Sequence, residues 1–244
     1  HPLLPISCVS RMEPIKPHER KMQPLPLPSR MVQLKWMQAS IFVYDLNPEA
    51  GGDPMIFLHG LGDEADTWRH VTPHLGNRRL VLMDLPGFGR SDKPENAEYH
   101  VGFFTGCTLE VMDELRIDKA IFVGHSLGAQ IAQWIALTHP DRVSRLCLLG
   151  GGLLSPERAL SDRIVIALLA TPGVGEWIYN GLRKDPKAAY DSLRAYYHNL
   201  DALPEQDRAF LLKRVQQRVW SDGQRDAFLK TLRCLSRWLP KRQE

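Results

Sequence analysis

An apolar run, Ala120-Ile121-Phe122-Val123, leads into Gly124-His125-Ser126-Leu127-Gly128 and then directly into a helical pattern. A strand that turns at once into a helix leaves little space at the corner, and glycines at 124 and 128 provide it. Such a turn lifts the Ser126 hydroxyl clear of a strained backbone, which is how a nucleophilic serine is presented. A bare G-x-S-x-G run also describes a tight turn with a solvated serine. The strand before it and the helix after it favour the nucleophile.

At 244 residues with 43% hydrophobic and 24% charged, the chain can bury one substantial core. A net charge of +3, with Arg and Lys spread among acids, argues against a nucleic-acid partner. The longest apolar stretches, Ile164–Ala170 and Leu146–Leu154, are too short to span a bilayer. Cys8, Cys107, Cys147 and Cys234 lack metal-ligand spacing, so they are expected to be reduced, mostly buried thiols in a cytoplasmic protein. Residues 1–30 hold seven prolines and no continuous apolar stretch of the secretory kind, so they are expected to form a flexible leader. The chain begins at His1, which suggests a processed end or a fragment boundary, with Met12, Met22 and Met31 as alternative starts.

Beyond the leader, Met31–Met37 and Ser40–Asp45 read as two short strands. Met55–Leu58 is a continuous apolar strand of the kind buried on both faces, ending in His59-Gly60-Leu61-Gly62-Asp63. A helix is expected over 64–75. A strand over Leu80–Met83 runs into Asp84-Leu85-Pro86-Gly87-Phe88-Gly89-Arg90-Ser91-Asp92, followed by a helix over 101–115. The strand ending at Val123, a helix over 127–138 and a strand over 143–149 complete an alternation that predicts an α/β, doubly wound, mostly parallel sheet.

With H-G-L-G at 59–62, D-L-P-G-F-G-R-S at 84–91 and G-H-S-L-G at 124–128 in this order, the chain resembles the α/β-hydrolase fold family, in its esterase-like branch with a helical cap. The resemblance implies a core over 31–154 and a helical cap over 155–244. It implies Ser126 as nucleophile and the amides of Leu127 and Leu61 as the oxyanion hole, donors that lower an acyl-transfer barrier by about 3 kcal/mol each. Gly60, Gly124, His125 and Gly128 support that arrangement. His59 is expected to brace its loop, with a general-base role as the alternative. Asp84 reads as a loop brace capping turn amides, with a triad acid as the alternative. Arg90, Ser91 and Asp92 form a hydrogen-bonded corner in this reading. Trp68, Trp134 and Trp177 are packing residues, and His70, His74 and His139 are solvated or satisfied.

After Gly150 the pattern becomes helical, with apolar faces at Ile164, Ala167, Leu168 and Leu169; Leu193, Tyr196, Tyr197 and Leu200; Phe210, Leu211, Val215 and Val219; and Phe228, Leu232, Leu235 and Leu239. Such a cap would roof Ser126 and favour a small-molecule substrate with an apolar acyl group. The resemblance places an acid and a histidine beyond the cap, so the chain is expected to lack its last core strands and these partners, leaving His100 and His198 as loosely placed alternatives. The exposed sheet edge would then favour self-association. No cofactor and no metal is expected. Carboxylic-ester hydrolysis leads; carbon–carbon bond hydrolysis, acyl transfer and a noncatalytic binding protein are the alternatives, and another chain supplying the last strands is a further one.

Overall fold

The computed structural model describes residues 12–150 and 166–237. The first part of the expected leader with Cys8, the opening of the expected cap with Ile164, and Leu239 lie outside them. Six strands, β1 (Ser29–Leu34), β2 (Ala39–Leu46), β3 (Met55–Leu58), β4 (Leu80–Met83), β5 (Ala120–His125) and β6 (Val143–Leu149), form one sheet in the order β1-β2-β4-β3-β5-β6. β2 is antiparallel to both of its neighbours, β1 and β4, and β3 to β6 run parallel. The fold is of the α/β-hydrolase type, a mixed and mostly parallel sheet with helices.

Successive strand residues point to opposite faces, which divides the core in two. Ile56, Leu58, Val81 and Met83 face α1 (Val101–Glu114) and α2 (Leu127–Thr138), meeting Phe104, Val111, Ile131 and Ile135. Phe57, Leu82 and Val123 face the other way, onto Phe42, Tyr44 and Trp68. Coverage on both sides explains why β3 and β4 are continuous apolar runs.

The expected helix over 64–75 is absent. Two 3₁₀ turns, Ala65–Trp68 and Thr72–His74, stand in its place. The Ala65 amide is taken by Asp84 Oδ1 at 2.7 Å, Trp68 turns inward onto Phe57 with ring centroids 5.3 Å apart, and Pro73 has no N–H to continue a helix.

The helical C-terminal part comprises α3 (Val174–Gly181), α4 (Pro186–Asp191), α5 (Glu205–Val219) and α6 (Asp222–Arg237). Ala189, Tyr190, Leu193, Leu200, Leu211 and Val215 form its own small core. Leu193, Tyr196, Tyr197 and Leu200, expected to form one helical face, are distributed instead over two 3₁₀ turns, Ser192–Tyr196 and Leu200–Ala202, and the extended backbone between them at Tyr197 and Asn199. Trp177 is 77% exposed and so is not the packing residue expected, whereas Trp68 is buried.

Residues 12–28 do not form a free leader. Ile15 and Met22 are buried, the Ile15 amide donates to Gln216 Oε1 at 2.7 Å, Gln217 Nε2 donates to the Glu19 carbonyl at 2.8 Å, and Arg20 lies over the Trp220 ring at 3.6 Å. The stretch is a strap across α5, held by its backbone polar groups. Proline fixes φ and lowers the entropy lost on such ordering, so Pro-rich composition does not distinguish a strap from a linker.

β6 is the last strand of the sheet order, and Arg145, Leu146, Cys147 and Leu149 are exposed on it. Cys147 therefore departs from the expected buried thiols, while Cys107 is buried and its thiol pKa is pushed up by desolvation. Among the described residues no helix is long and apolar enough to cross a membrane. Phe57, fully buried in the second core layer, is expected to cost about 3–5 kcal/mol when replaced by Ala, measured by urea unfolding.

Candidate active site

Ser126 ends β5 and opens α2 with φ 51° and ψ −109°, a conformation a side-chain-bearing residue holds only when its surroundings enforce it. Two close approaches enforce it. A methyl on Gly128 would lie 2.1 Å from the Leu58 carbonyl oxygen, and one on Gly124 would lie 2.4 Å from the Gly128 carbonyl oxygen. The helix thus descends onto the ends of β3 and β5 where only glycine fits. The Ser126 amide donates to the Leu149 carbonyl of β6 at 3.0 Å, which holds the corner from the third side. Leu127 is the first residue of α2, so its N–H has no partner within the helix and lies at the positive end of the helix dipole.

Because Leu58 pairs with Gly124 in register, the loop after β3 starts beside this corner. A methyl on Gly60 would lie 3.5 Å from Ser126 Cβ and 2.9 Å from His125 Nδ1. Residues 60–63 make a tight turn closed by the Asp63 amide donating to the Gly60 carbonyl at 3.2 Å, with Gly62 at φ 77°. His59 is buried. Its Nε2 accepts from the Leu85 amide at 2.9 Å, so the proton is on Nδ1, which donates to the Gly60 carbonyl at 2.7 Å. Two donors therefore fix the Gly60 carbonyl. In a trans peptide the Leu61 N–H on the same plane must then point the opposite way. Burial holds the His59 pKa below the usual imidazole value, against the opposing pull of Asp63 and Asp84, so the ring is a neutral brace. His125 packs between Gly60 and Gly150, where a methyl would come within 3.3 Å of its Nε2.

Asp84 is buried at the end of β4. Its carboxylate accepts from the Ala65 amide at 2.7 Å, from the Arg90 amide and Nε at 2.7 Å each, and from Arg90 Nη2 at 2.9 Å. Burial alone would raise its pKa, but the Arg90 hydrogen bonds and charge hold it below the usual carboxylate range. Gly89 is obligatory here, because a methyl would lie 2.3 Å from Asp84 Oδ2. Ser91 Oγ donates to the Asp84 carbonyl at 2.6 Å and accepts from the Phe42 amide at 2.9 Å, and Asp92 Oδ2 accepts from the Ser40 amide at 2.8 Å. The 84–92 run is thus a corner tied to β2. His100 caps α1, accepting from the Phe103 amide at 3.1 Å, and His198 is exposed.

A buried ionic cluster lies beneath the C-terminal helices, and its Arg214 and Arg218 belong to none of the sequence motifs. Arg218 of α5 pairs with Asp63 at 2.6 Å and Glu64 at 2.5 Å. Arg214 pairs with Asp66, which also accepts from Tyr44 Oη at 2.7 Å and Arg90 Nη1 at 2.9 Å. Burial works against the Arg218 charge, but Glu64 and Asp63 more than offset it and hold its pKa above the ordinary value. The face that α5 presents to the core is therefore ionic here, where an apolar inner face was expected. Apolar character comes instead from α6: Phe228 lies against Gly62 and packs with Tyr179 at 5.6 Å between ring centroids. A helical period marks which residues share a face but not that an acidic loop 150 residues away will meet two arginines.

Residues 53–238 match the family model described as alpha/beta hydrolase fold, and the chain belongs to that family. It is 36% identical over 115 residues to 2-hydroxymuconate semialdehyde hydrolase of Pseudomonas sp. (strain CF600), covering 46% of this chain and 41% of that protein. It is 28% identical over 207 residues to 2-hydroxy-6-oxo-6-phenylhexa-2,4-dienoate hydrolase of Burkholderia cepacia, covering 79% of this chain and 72% of that one. Wild-type Cfl2 from Burkholderia cenocepacia superposes with a TM-score of 0.73 at 23% identity, over 89% of this chain and 74% of that one, a likeness of fold. The chain spans about half the length of the first curated relatives it matches, 41% and 53%.

A histidine held neutral by burial contributes stability that is complete above its unfolded pKa and is lost on acidification, because only the unfolded chain takes up the proton readily. The melting temperature is expected to fall as pH drops below about 6.5. His59→Gln should be less stable at neutral pH and should show a shallower acid slope in thermal melts followed by circular dichroism.

Proposed function

We propose that this chain carries the nucleophile and oxyanion hole of a serine hydrolase that cleaves a carboxylic ester or related acyl bond of a small molecule. The observation that carries this is the forced φ 51°, ψ −109° of Ser126 at the start of α2, with the Gly60–Leu61 turn against it. Ser126 Oγ attacks the carbonyl carbon, and the carbonyl oxygen takes up negative charge between the amides of Leu127 and Leu61. The C–O bond to the leaving alcohol breaks, giving an acyl-serine that water then hydrolyses. The general base that takes the Ser126 proton, and the acid that orients it, are assigned outside the described residues, since His59 and Asp84 are both fully engaged as braces. Phe228 and Tyr179 beside the oxyanion turn suit an apolar acyl group.

Carbon–carbon bond hydrolysis is the second reading. It is favoured by relatives named as hydrolases of 2-hydroxymuconate semialdehyde and of 2-hydroxy-6-oxo-dienoates, and it would use the same serine and oxyanion donors on a ketone. A cytoplasmic location belongs to the same proposal, resting on the free thiols of Cys107 and Cys147.

In the complete natural protein that carries this chain, a fluorophosphonate probe is expected to label the wild type and not Ser126→Ala, read by intact-mass spectrometry; an unlabelled wild type would overturn the serine-hydrolase reading. Turnover of p-nitrophenyl acyl esters against a 2-hydroxy-6-oxo-dienoate then separates the two substrate classes. Self-association through the β6 edge is a further part of the proposal, resting on the exposed Leu146 and Leu149 and on Leu137 of α2, which is 70% exposed. Size-exclusion chromatography with light scattering is expected to show dimers or larger species, and a monodisperse monomer would refute it.

A further inference from the structure

The oxyanion turn is held from two sides, and only one of them belongs to the sheet. His59 anchors it from below through the Gly60 carbonyl. From above, α5 and α6 reach over 150 residues of chain to grip residues 62–64. Arg218 holds the Asp63 carboxylate at 2.6 Å and that of Glu64 at 2.5 Å. Gln224, a fully buried amide, donates from Nε2 to the Gly62 carbonyl at 3.3 Å and accepts at Oε1 from the Gly89 amide at 3.1 Å. It thereby ties the oxyanion turn to the 84–92 corner. Phe228 covers Gly62, leaving a methyl there only 3.0 Å from its ring.

These contacts act on one backbone group. The Asp63 amide is one of the two donors that fix the Gly60 carbonyl, and that carbonyl shares a rigid plane with the Leu61 N–H. Displacing Asp63 therefore rotates the Leu61 amide without disturbing Ser126. We infer that Arg218 and Gln224 are positioning residues, through which the helical cap sets the direction of the Leu61 oxyanion donor. The inference rests on the functional reading above for its catalytic consequence. It makes the α5–α6 side of the cap a fixed wall of the active site instead of a lid that opens there.

Removing Arg218 outright would leave buried carboxylates unpaired, so the variants are chosen to keep charge or volume. Arg218→Lys retains one cation but loses the fork that spans Asp63 and Glu64. Gln224→Leu keeps volume and removes both amide hydrogen bonds. Two measurements on the complete natural protein are paired: hydrogen–deuterium exchange of the amides in 60–66, and the second-order rate of fluorophosphonate labelling. In both variants, exchange across 60–66 is expected to rise about tenfold while amides of β5 and α2 keep their protection. Labelling is expected to slow by about tenfold, a fraction of the loss that follows removal of an oxyanion donor. Unchanged exchange across 60–66 in both variants overturns the inference, as does faster exchange with an unaltered labelling rate. If the wild type itself is not labelled, the serine-hydrolase reading fails, and the exchange data still decide whether the cap orders the turn. A variant that loses protection in β5 and α2 as well reports general unfolding, in which case the other variant decides.

Discussion

The absence of a side chain at Gly128 is the constraint on which the rest of the site depends. Leu58 and Gly124 lie opposite one another at the ends of neighbouring parallel strands, and α2 must start within van der Waals contact of both. Any Cβ at position 128 would overlap the Leu58 carbonyl oxygen at 2.1 Å, pushing the helix off the sheet and relaxing the backbone of Ser126. The strained serine, the Leu127 N–H left without a partner inside the helix and the proximity of the Gly60–Leu61 turn all follow from that one close contact. Strain at Ser126 persists because three elements, β3, β6 and α2, hold it at once.

Polar groups around the corner are used almost entirely as braces. His59 spends both ring nitrogens on backbone, and every Asp84 acceptor position faces a donor from Ala65 or Arg90. A carboxylate and an imidazole at strand ends near a serine suggest triad members on chemical type alone. Their hydrogen-bond partners assign them differently, since a saturated, buried group has no free lone pair or proton for a substrate. Beneath the C-terminal helices, the ionic cluster of Asp63, Glu64, Asp66, Arg90, Arg214 and Arg218 is costly to desolvate, and its close carboxylate–guanidinium pairing is what makes it tolerable, with Arg214 Nε left without a hydrogen-bond partner among the described residues. Burial of charge at this seam supplies direction more than net stability, because each fork accepts only one arrangement of its carboxylates.

The core strands and α2 were legible because their signals are local. Four-residue apolar runs at 55–58 and 80–83, and the G-x-S-x-G turn, fall within a few residues of the elements they specify. Residues 64–75 misled because their apolar spacing is helical, while the Ala65 amide is captured by Asp84 from another loop. The Pro-rich start misled in the opposite sense. Its composition suits a linker, yet Gln216 and Gln217 of α5 bind its backbone, and those residues lie about 200 positions away.

Sequence by itself determined the sheet's strand types, the position of the sharp turn and the identity of Ser126, because steric requirements for glycine and apolar continuity are written in consecutive residues. It also supplied the order of the three motifs that identify the family. Tertiary structure alone decided which polar groups are engaged and which remain available, how the 12–28 strap and α5 meet, and that Arg218 and Gln224 close over the 60–63 turn. Those outcomes depend on hydrogen bonds between residues far apart in the chain, whose geometry no local pattern encodes.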